Sequence, residues 1–440
     1  MIRQTIDSLV ADFISAATWH GSLERAEAIL REHPQIATVS IQAAAVLGDD
    51  PTVRRFLALD PSNATTTVPP YGGNALVYLC MSKYLRLDSE RSEGFLHAAT
   101  ALLDAGADPG SGFWSEGKNP ELETALYGAA GVAHHGEMTR LLLERGANPN
   151  DDEAVYHSPE TYDNAAMQLL VETGKLTDEN LALMLIRKHD WHDFDGVKYL
   201  LEHGVDPNSM TWRGRRAMHQ ALARDNRIEI IELLLDHGAD PTLAQNRQSG
   251  VALAARRGRA DVIEVFERRE IPVELQGVDR LIAACARNDS ASVRSIVSGN
   301  PGLTELKAAG GKLLAEFAGN GNANGIGQLL DLGIDVDARF AEGDGYWDVA
   351  PNSTALHVAS WRAQHDTVKL LIARGAQVNA MDAKGRTPLA LAVRACVDSY
   401  WTGRRSPMSV AALLDAGAST DGVLFPSGYD EVDKLLRERK

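Results

Sequence analysis

The chain has 440 residues, 44% of them hydrophobic and 24% charged, which excludes disorder and collagen-like repetition and leaves ample material for a large core. Its 44 basic side chains against 60 acidic ones give a formal charge of -16, which repels phosphate backbones and disfavours nucleic acid as a partner. Three widely separated cysteines, Cys80, Cys285 and Cys396, offer neither a disulfide framework nor a Cys-x-x-Cys metal site, so a reducing, cytoplasmic compartment is expected.

The first predicted helix, 2–17, carries Arg3, Gln4, Asp7, Ser8 and Asp12 between its apolar positions, so one face suits solvent and the segment lacks the apolar centre of a secretory leader. No apolar run of roughly 18 residues follows anywhere, so no membrane association is expected. Segments 13–34 and 41–61 then show a two-helix rhythm. From Leu102 onward one phrase recurs: LLDAGADP at 102–109, LLERGANP at 142–149, a degenerate LLVETGKLT at 169–177, LLEHGVDP at 200–207, LLDHGADP at 234–241, LLDLGIDV at 329–336, LIARGAQV at 371–378 and LLDAGAST at 413–420. The paired leucines close the apolar stripe of a helix. The glycine takes the left-handed position that ends it, and the Asp-Pro or Asn-Pro that often follows cannot continue it.

Upstream of the phrase lies a short alanine-rich segment, at 124–130, 217–223, 251–256, 281–286, 355–360 and 388–393, whose small residues allow helices to approach closely. The unit is therefore turn, short helix, loop, longer helix. The anchor glycines Gly238 and Gly333 stand 95 residues apart, nearly three units, so two copies that have lost the phrase are expected between them.

The runs STALHV (353–358), VKLLIARGA (368–376) and NAMDAKGRTPLAL (379–391) resemble the ankyrin repeat: a Thr-Pro-Leu-His type first helix, a Val-x-x-Leu-Leu-x-x-Gly-Ala second helix, then a hairpin turn. The likeness is clear over 96–242 and 325–420 and divergent over 1–95 and 243–324, with 421–440 as a capping helix. It implies an all-α fold, a single solenoid of about 12 helix-turn-helix units over 1–440 with short hairpin-like turns, of the long stand-alone bacterial type. Such arrays bind other proteins along a concave groove. The implied function is non-enzymatic protein-protein interaction by a monomer, with no cofactor.

Three aromatic-bearing inserts depart from the repeat: 108–123 with Phe113 and Trp114, 335–352 with Phe340, Tyr346 and Trp347, and 396–407 with Tyr400, Trp401, Arg404 and Arg405. A fourth insert, 83–94, is charged. Inserts in solenoids map to loops, and exposed Trp, Tyr and Arg dominate binding energies, so Trp114, Trp191, Trp212, Tyr346, Trp347, Trp361, Tyr400, Trp401, Arg404 and Arg405 are the expected partner-binding residues. A single tryptophan in a long turn could equally fold back over a helix end. An alternative reading is a small-molecule or catalytic pocket between the enlarged C-terminal turns, walled by Tyr346, Trp347, Trp361, Tyr400 and Trp401, with Arg404 and Arg405 for an anion.

His189 and His192 in HDWHD are spaced like metal ligands, but the segment reads as the loop between two helices with no third ligand, so no metal is expected. His134 and His135 occupy the matching turn. His219 and His357 take the Leu-His position that, in the ankyrin pattern, links neighbouring hairpins. Arginines at 213, 215 and 216, at 256, 257 and 259, and at 268 and 269 read as a solvated face or as salt-bridge partners in an acidic chain, with an acidic partner as the alternative. The run 319–327 (GNGNANGIG) reads as a turn between helices, because no strand precedes it. No nucleophile-base pair is apparent.

Overall fold

The computed structural model describes residues 5–87, 91–298 and 302–439. The chain divides into two compact units, 1–239 and 240–440. Both are built from pairs of antiparallel-type helix-turn-helix modules, and among the described residues strands are confined to two short hairpins. The fold is all-α.

The first unit holds seven successive helix pairs, beginning with Ile6–Ala17 and Leu23–Glu32 and ending with Ala217–Ala223 and Ile228–Asp236. The second holds five, from Gly250–Arg256 and Ala260–Arg268 to Pro388–Val397 and Met408–Asp415, followed by the helix Asp430–Arg437. First helices start at the expected hydroxyl caps: the Tyr127 amide donates to Thr124 Oγ1 at 2.9 Å and the Ala390 amide to Thr387 Oγ1 at 3.2 Å. Helix ends follow the glycine phrase. Gly375 has φ +87°, its own amide donates to the Ile372 carbonyl and the Ala376 amide to the Leu371 carbonyl, both at 3.0 Å.

Two helix pairs do lie between Gly238 and Gly333 without the phrase, at 250–268 and 277–298. In the first of them Glu270 takes the left-handed position with φ +59°, and the Ile271 amide returns to the Phe266 carbonyl at 2.9 Å. The geometry of the cap persists where its glycine has gone.

First helices are buried on nearly every side, which explains their alanines: Ala43, Ala44, Ala45 and Val46 are inaccessible, as are Ala284 and Cys285 in a later copy. Second helices bury one stripe; of His365–Ala373 only Thr367, Val368 and Leu371 are buried. Polar side chains tie successive pairs together. His357 accepts the Thr354 amide at 3.1 Å through Nδ1 and sits 3.1 Å from the Arg386 carbonyl through Nε2, so it bridges to the next turn. Burial pulls its pKa down to about 4, and the neutral ring supplies one acceptor and one donor. Within 319–327, Asn322 Nδ2 donates to the carbonyls of Gly258 and Ala286, both at 2.8 Å, while its Oδ1 caps Ala323–Asp331.

Candidate partner-binding surfaces

The insert at 108–123 folds as an antiparallel hairpin, Gly112–Trp114 against Leu122–Thr124, with Phe113 opposite Glu123 and Trp114 opposite Leu122. Alternation then separates its two faces. Phe113 is buried, stacked on Tyr71 with ring centroids 5.0 Å apart and edge-on to Trp19 at 5.5 Å. Trp114 and Leu122 take the other face, and Trp114 is 67% exposed. Trp212 is 65% exposed in a later turn of the same unit, with the Arg213 guanidinium 4.3 Å above its ring.

Trp114 and Trp212 border one open cleft of about 950 Å³. Its lining comes from the hairpin, from Tyr156 and His157 on the helix Asp152–His157, and from Glu179 and Leu183 at the start of the next first helix. Turns and first helices of several successive pairs thus contribute to one concavity. It is acidic: Glu121, Asp151, Asp152, Glu153 and Glu179 line it, against Arg213 and His157. Asp151 has a local duty, accepting from Thr124 Oγ1 at 2.6 Å and from the Ala154 amide at 2.7 Å. The charge of Glu153 raises the pKa of Glu121. Glu123, on the Phe113 face of the hairpin and off the cleft lining, is only 3% exposed; it hydrogen-bonds Ser115 while its Oε2 has no partner, and burial and then Glu153 push its pKa up to about 7.

Trp191 caps the end of Asp178–Asp190, half-buried and edge-on to Tyr162 with centroids 5.7 Å apart. The helix runs through His189 and Asp190, so the loop expected over HDWHD begins only at Trp191. Packing explains the difference. His189 is fully buried, with Nδ1 3.0 Å from Asn226 Oδ1, and burial lowers its pKa to about 4. Beside it Lys188, unremarked in the sequence, is completely buried: its Nζ donates to Asp193 Oδ2 at 2.8 Å and to the Thr161 carbonyl at 2.6 Å. Among the described residues no three His, Cys, Asp or Glu side chains converge as a metal site requires.

In the second unit the aromatic inserts pack on one another. Trp401 lies 5.6 Å from Trp347 and 5.3 Å from Trp361 between ring centroids, and Trp361 Nε1 donates to the Trp347 carbonyl at 2.7 Å. The Arg362 guanidinium sits 4.0 Å from the Trp347 ring and 5.1 Å from that of Trp401, and Arg394 lies 4.5 Å over Trp361. Asp348 binds Lys384 at 2.7 Å, Arg386 at 3.1 Å and Arg394 at 2.5 Å; burial opposes its ionisation, but these cations hold its carboxyl well below the usual range.

The cavity left beside Trp347 is about 20 Å³, room for a single water. The space that the alternative reading assigned to a small ligand or substrate is filled by the aromatics themselves, and that reading loses its pocket. Trp347 and Trp361 are buried and Trp401 half-buried, whereas Tyr346 is exposed at its edge, Tyr400 is 89% exposed and Arg404 and Arg405 face solvent. The arginine cluster at 256, 257 and 259 is paired: Arg256 with Asp279 at 2.5 Å, Arg257 with Glu316 and Arg259 with Asp261 at 2.8 Å. All three cysteines are buried, and burial pushes the Cys285 thiol up to about 12, far from a thiolate nucleophile at neutral pH.

Residues 152–245, 281–382 and 314–419 match the family described as ankyrin repeats (3 copies), more than half of the chain in all. The chain is 29% identical over 194 residues to the ankyrin repeat domain-containing protein SAT10 of Stachybotrys chartarum, covering 43% of this chain and 9% of that protein. It is 26% identical over 231 residues to human ankyrin repeat and SOCS box protein 16, covering 51% of this chain and 43% of that one. Against human cyclin-dependent kinase 4 inhibitor B the identity is 37% over 98 residues, 22% of this chain and 67% of the relative. The chain therefore spans less than half the length of the first two. Among solved structures it is similar to the ankyrin repeat domain of Bcl-3, at 19% identity over 52% of this chain and 97% of that one, with a TM-score of 0.25.

Proposed function

Since the chain belongs to the ankyrin-repeat family, whose members generally mediate protein-protein interaction, we propose that it is a non-enzymatic module that grips a partner protein through its inserted turns and first helices. The observation that carries the proposal is the open cleft of the first unit with two exposed tryptophans on its border. Large aromatic surface left in water is costly, and at interfaces tryptophan is the residue most enriched among those that dominate affinity. A relative named as a cyclin-dependent kinase inhibitor is, by that name, directed at another protein.

In this reading Trp114 and Trp212 are the principal anchors, and Tyr346, Tyr400, Arg404 and Arg405 form a second contact in the other unit. Trp347, Trp361 and Trp401 hold that second surface from beneath, and Trp191 stiffens the turn beside Tyr162. The three buried free cysteines suit a reducing cytoplasm, and no helix among the described residues is long and apolar enough to cross a membrane. The test is capture from an extract of the source cells by the wild-type chain and by a Trp114→Ala/Trp212→Ala double variant, read by quantitative mass spectrometry. The double variant should lose the proteins that the wild type enriches; identical capture by both would refute the assignment.

A further inference from the structure

We propose that the cleft bordered by Trp114 and Trp212 receives a basic, extended peptide segment of the partner, with a lysine or arginine side chain placed against the indoles and its charge directed to Glu121 and Glu153. This rests on the reading of the chain as a partner-binding module and specifies the chemistry of what it binds.

Part of the acidity of the cleft has a local cause. Asp151 is a helix cap, and Asp152 and Glu153 lie in the first turn of Asp152–His157, where negative charge is favourable. Glu121 has no such cause. It sits beside the strand Leu122–Thr124, and its carboxylate interacts unfavourably with that of Glu153. The cations already present offset the group only in part. His157 is shared between Glu153 at 3.2 Å and Glu160 at 2.7 Å, and the Arg213 guanidinium is laid over Trp212.

The sharpest sign of a missing partner is the pair Glu121 and Glu153, both on the lining of the cleft and close enough for their like charges to disfavour one another. Like charges held together are unfavourable, and an incoming cation beside Glu153 and Glu121 would relieve them. The exposed indoles complete the fit, since a cation binds the face of tryptophan better than that of any other side chain. At about 950 Å³ and open along the turns of successive pairs, the cleft has room for an extended segment that carries more than one side chain.

The test uses the full chain and a fluorescein-labelled heptapeptide, Ala-Lys-Ala-Arg-Ala-Lys-Ala, followed by anisotropy at physiological ionic strength, with a counterpart in which glutamine replaces every basic residue. The basic peptide should bind and the glutamine peptide should not. Glu121→Gln/Glu153→Gln should weaken binding at least tenfold and Trp212→Ala about fivefold. Asp366→Asn, at a carboxylate of the second unit whose side chain is 91% exposed, should leave binding unchanged.

Glu121→Gln/Glu153→Gln should keep the wild-type far-UV circular dichroism and melting temperature, which separates lost recognition from lost folding. Equal weakening by Asp366→Asn, or no binding of the basic peptide, overturns the proposal, and so does full displacement by spermidine at matched charge, which would assign the cleft to free amines. Partner capture that depends on Trp114 and Trp212 while the heptapeptide is ignored would remove the basic-peptide assignment alone. Capture indifferent to both tryptophans would remove the reading beneath it.

Discussion

Glu123→Gln should stabilise the protein at pH 8 and not at pH 4.5. Burial, then the charge of Glu153, moves the carboxyl from 4.5 to about 7 in the folded state. Between those values the folded chain holds a proton that the unfolded chain has released. The stability associated with this group is therefore greatest below pH 4.5 and falls as pH rises through 7. A displacement of this size corresponds to about 3 kcal/mol when the carboxylate is fully ionised. The amide that replaces it is also buried and must find an acceptor, at a cost of about 1 kcal/mol. The variant should thus gain about 2 kcal/mol at pH 8 and lose about 1 kcal/mol at pH 4.5.

For a unit of about this size 1 kcal/mol moves Tm by roughly 2–4 °C, so the gain at pH 8 should appear as about 4–8 °C. Urea and thermal unfolding of both proteins, followed by tryptophan fluorescence from pH 4.5 to 8.5, isolates the Glu123 contribution as the difference between two curves. A difference that stays constant across that range would refute the argument that burial and the charge of Glu153 disfavour this carboxylate.

Gly375→Val should destabilise by about 1–2 kcal/mol in urea unfolding, since φ is +87° and a Cβ there meets no atom within 4 Å, leaving backbone strain as the whole cost. Glu270→Gly should do the opposite and raise stability by about 1 kcal/mol, because a side chain now occupies a left-handed position at an exposed helix end. Lys188→Met should cost about 3 kcal/mol or more by leaving Asp193 buried without its cation, and Asp193, whose pKa is lowered despite burial through its bond to Lys188, should then titrate higher by NMR. Trp361→Ala should cost about 3–5 kcal/mol by thermal unfolding, against well under 1 kcal/mol for Tyr400→Ala, because the first is core and the second is solvent-exposed.

The repeat was legible because its signals are local: a left-handed glycine after paired leucines and a hydroxyl before an alanine-rich helix constrain the backbone wherever they occur. Glu270 shows the limit, since there the neighbouring helices impose the same conformation on a residue that does not favour it. The aromatic inserts were visible as inserts, but their fates depend on what other repeats bring to them. Arg362, Arg394 and Trp401 enclose Trp347 and Trp361, while Trp114 and Trp212 in the first unit stay 67% and 65% exposed.

The acidic cleft was missed because its carboxylates stand in different turns, with Glu121, Glu153 and Glu179 each about one repeat from the next. Comparing equivalent turn positions of consecutive repeats would have aligned them on one face. Lys188 carried no such signal, since its burial follows from the placement of Asp193 and of the Thr161 carbonyl together.

The central claim is that the first unit engages its partner through the border of this cleft. Its most direct measurement replaces Trp212, and separately the buried Trp361, with a photoreactive benzophenone amino acid in the source cells, followed by irradiation and mass spectrometry. The account predicts a covalent adduct with a partner protein from position 212, mapping to a lysine- or arginine-bearing segment, and none from position 361. Adducts of equal yield from both positions, or none from position 212 while the partner is still captured, would contradict it.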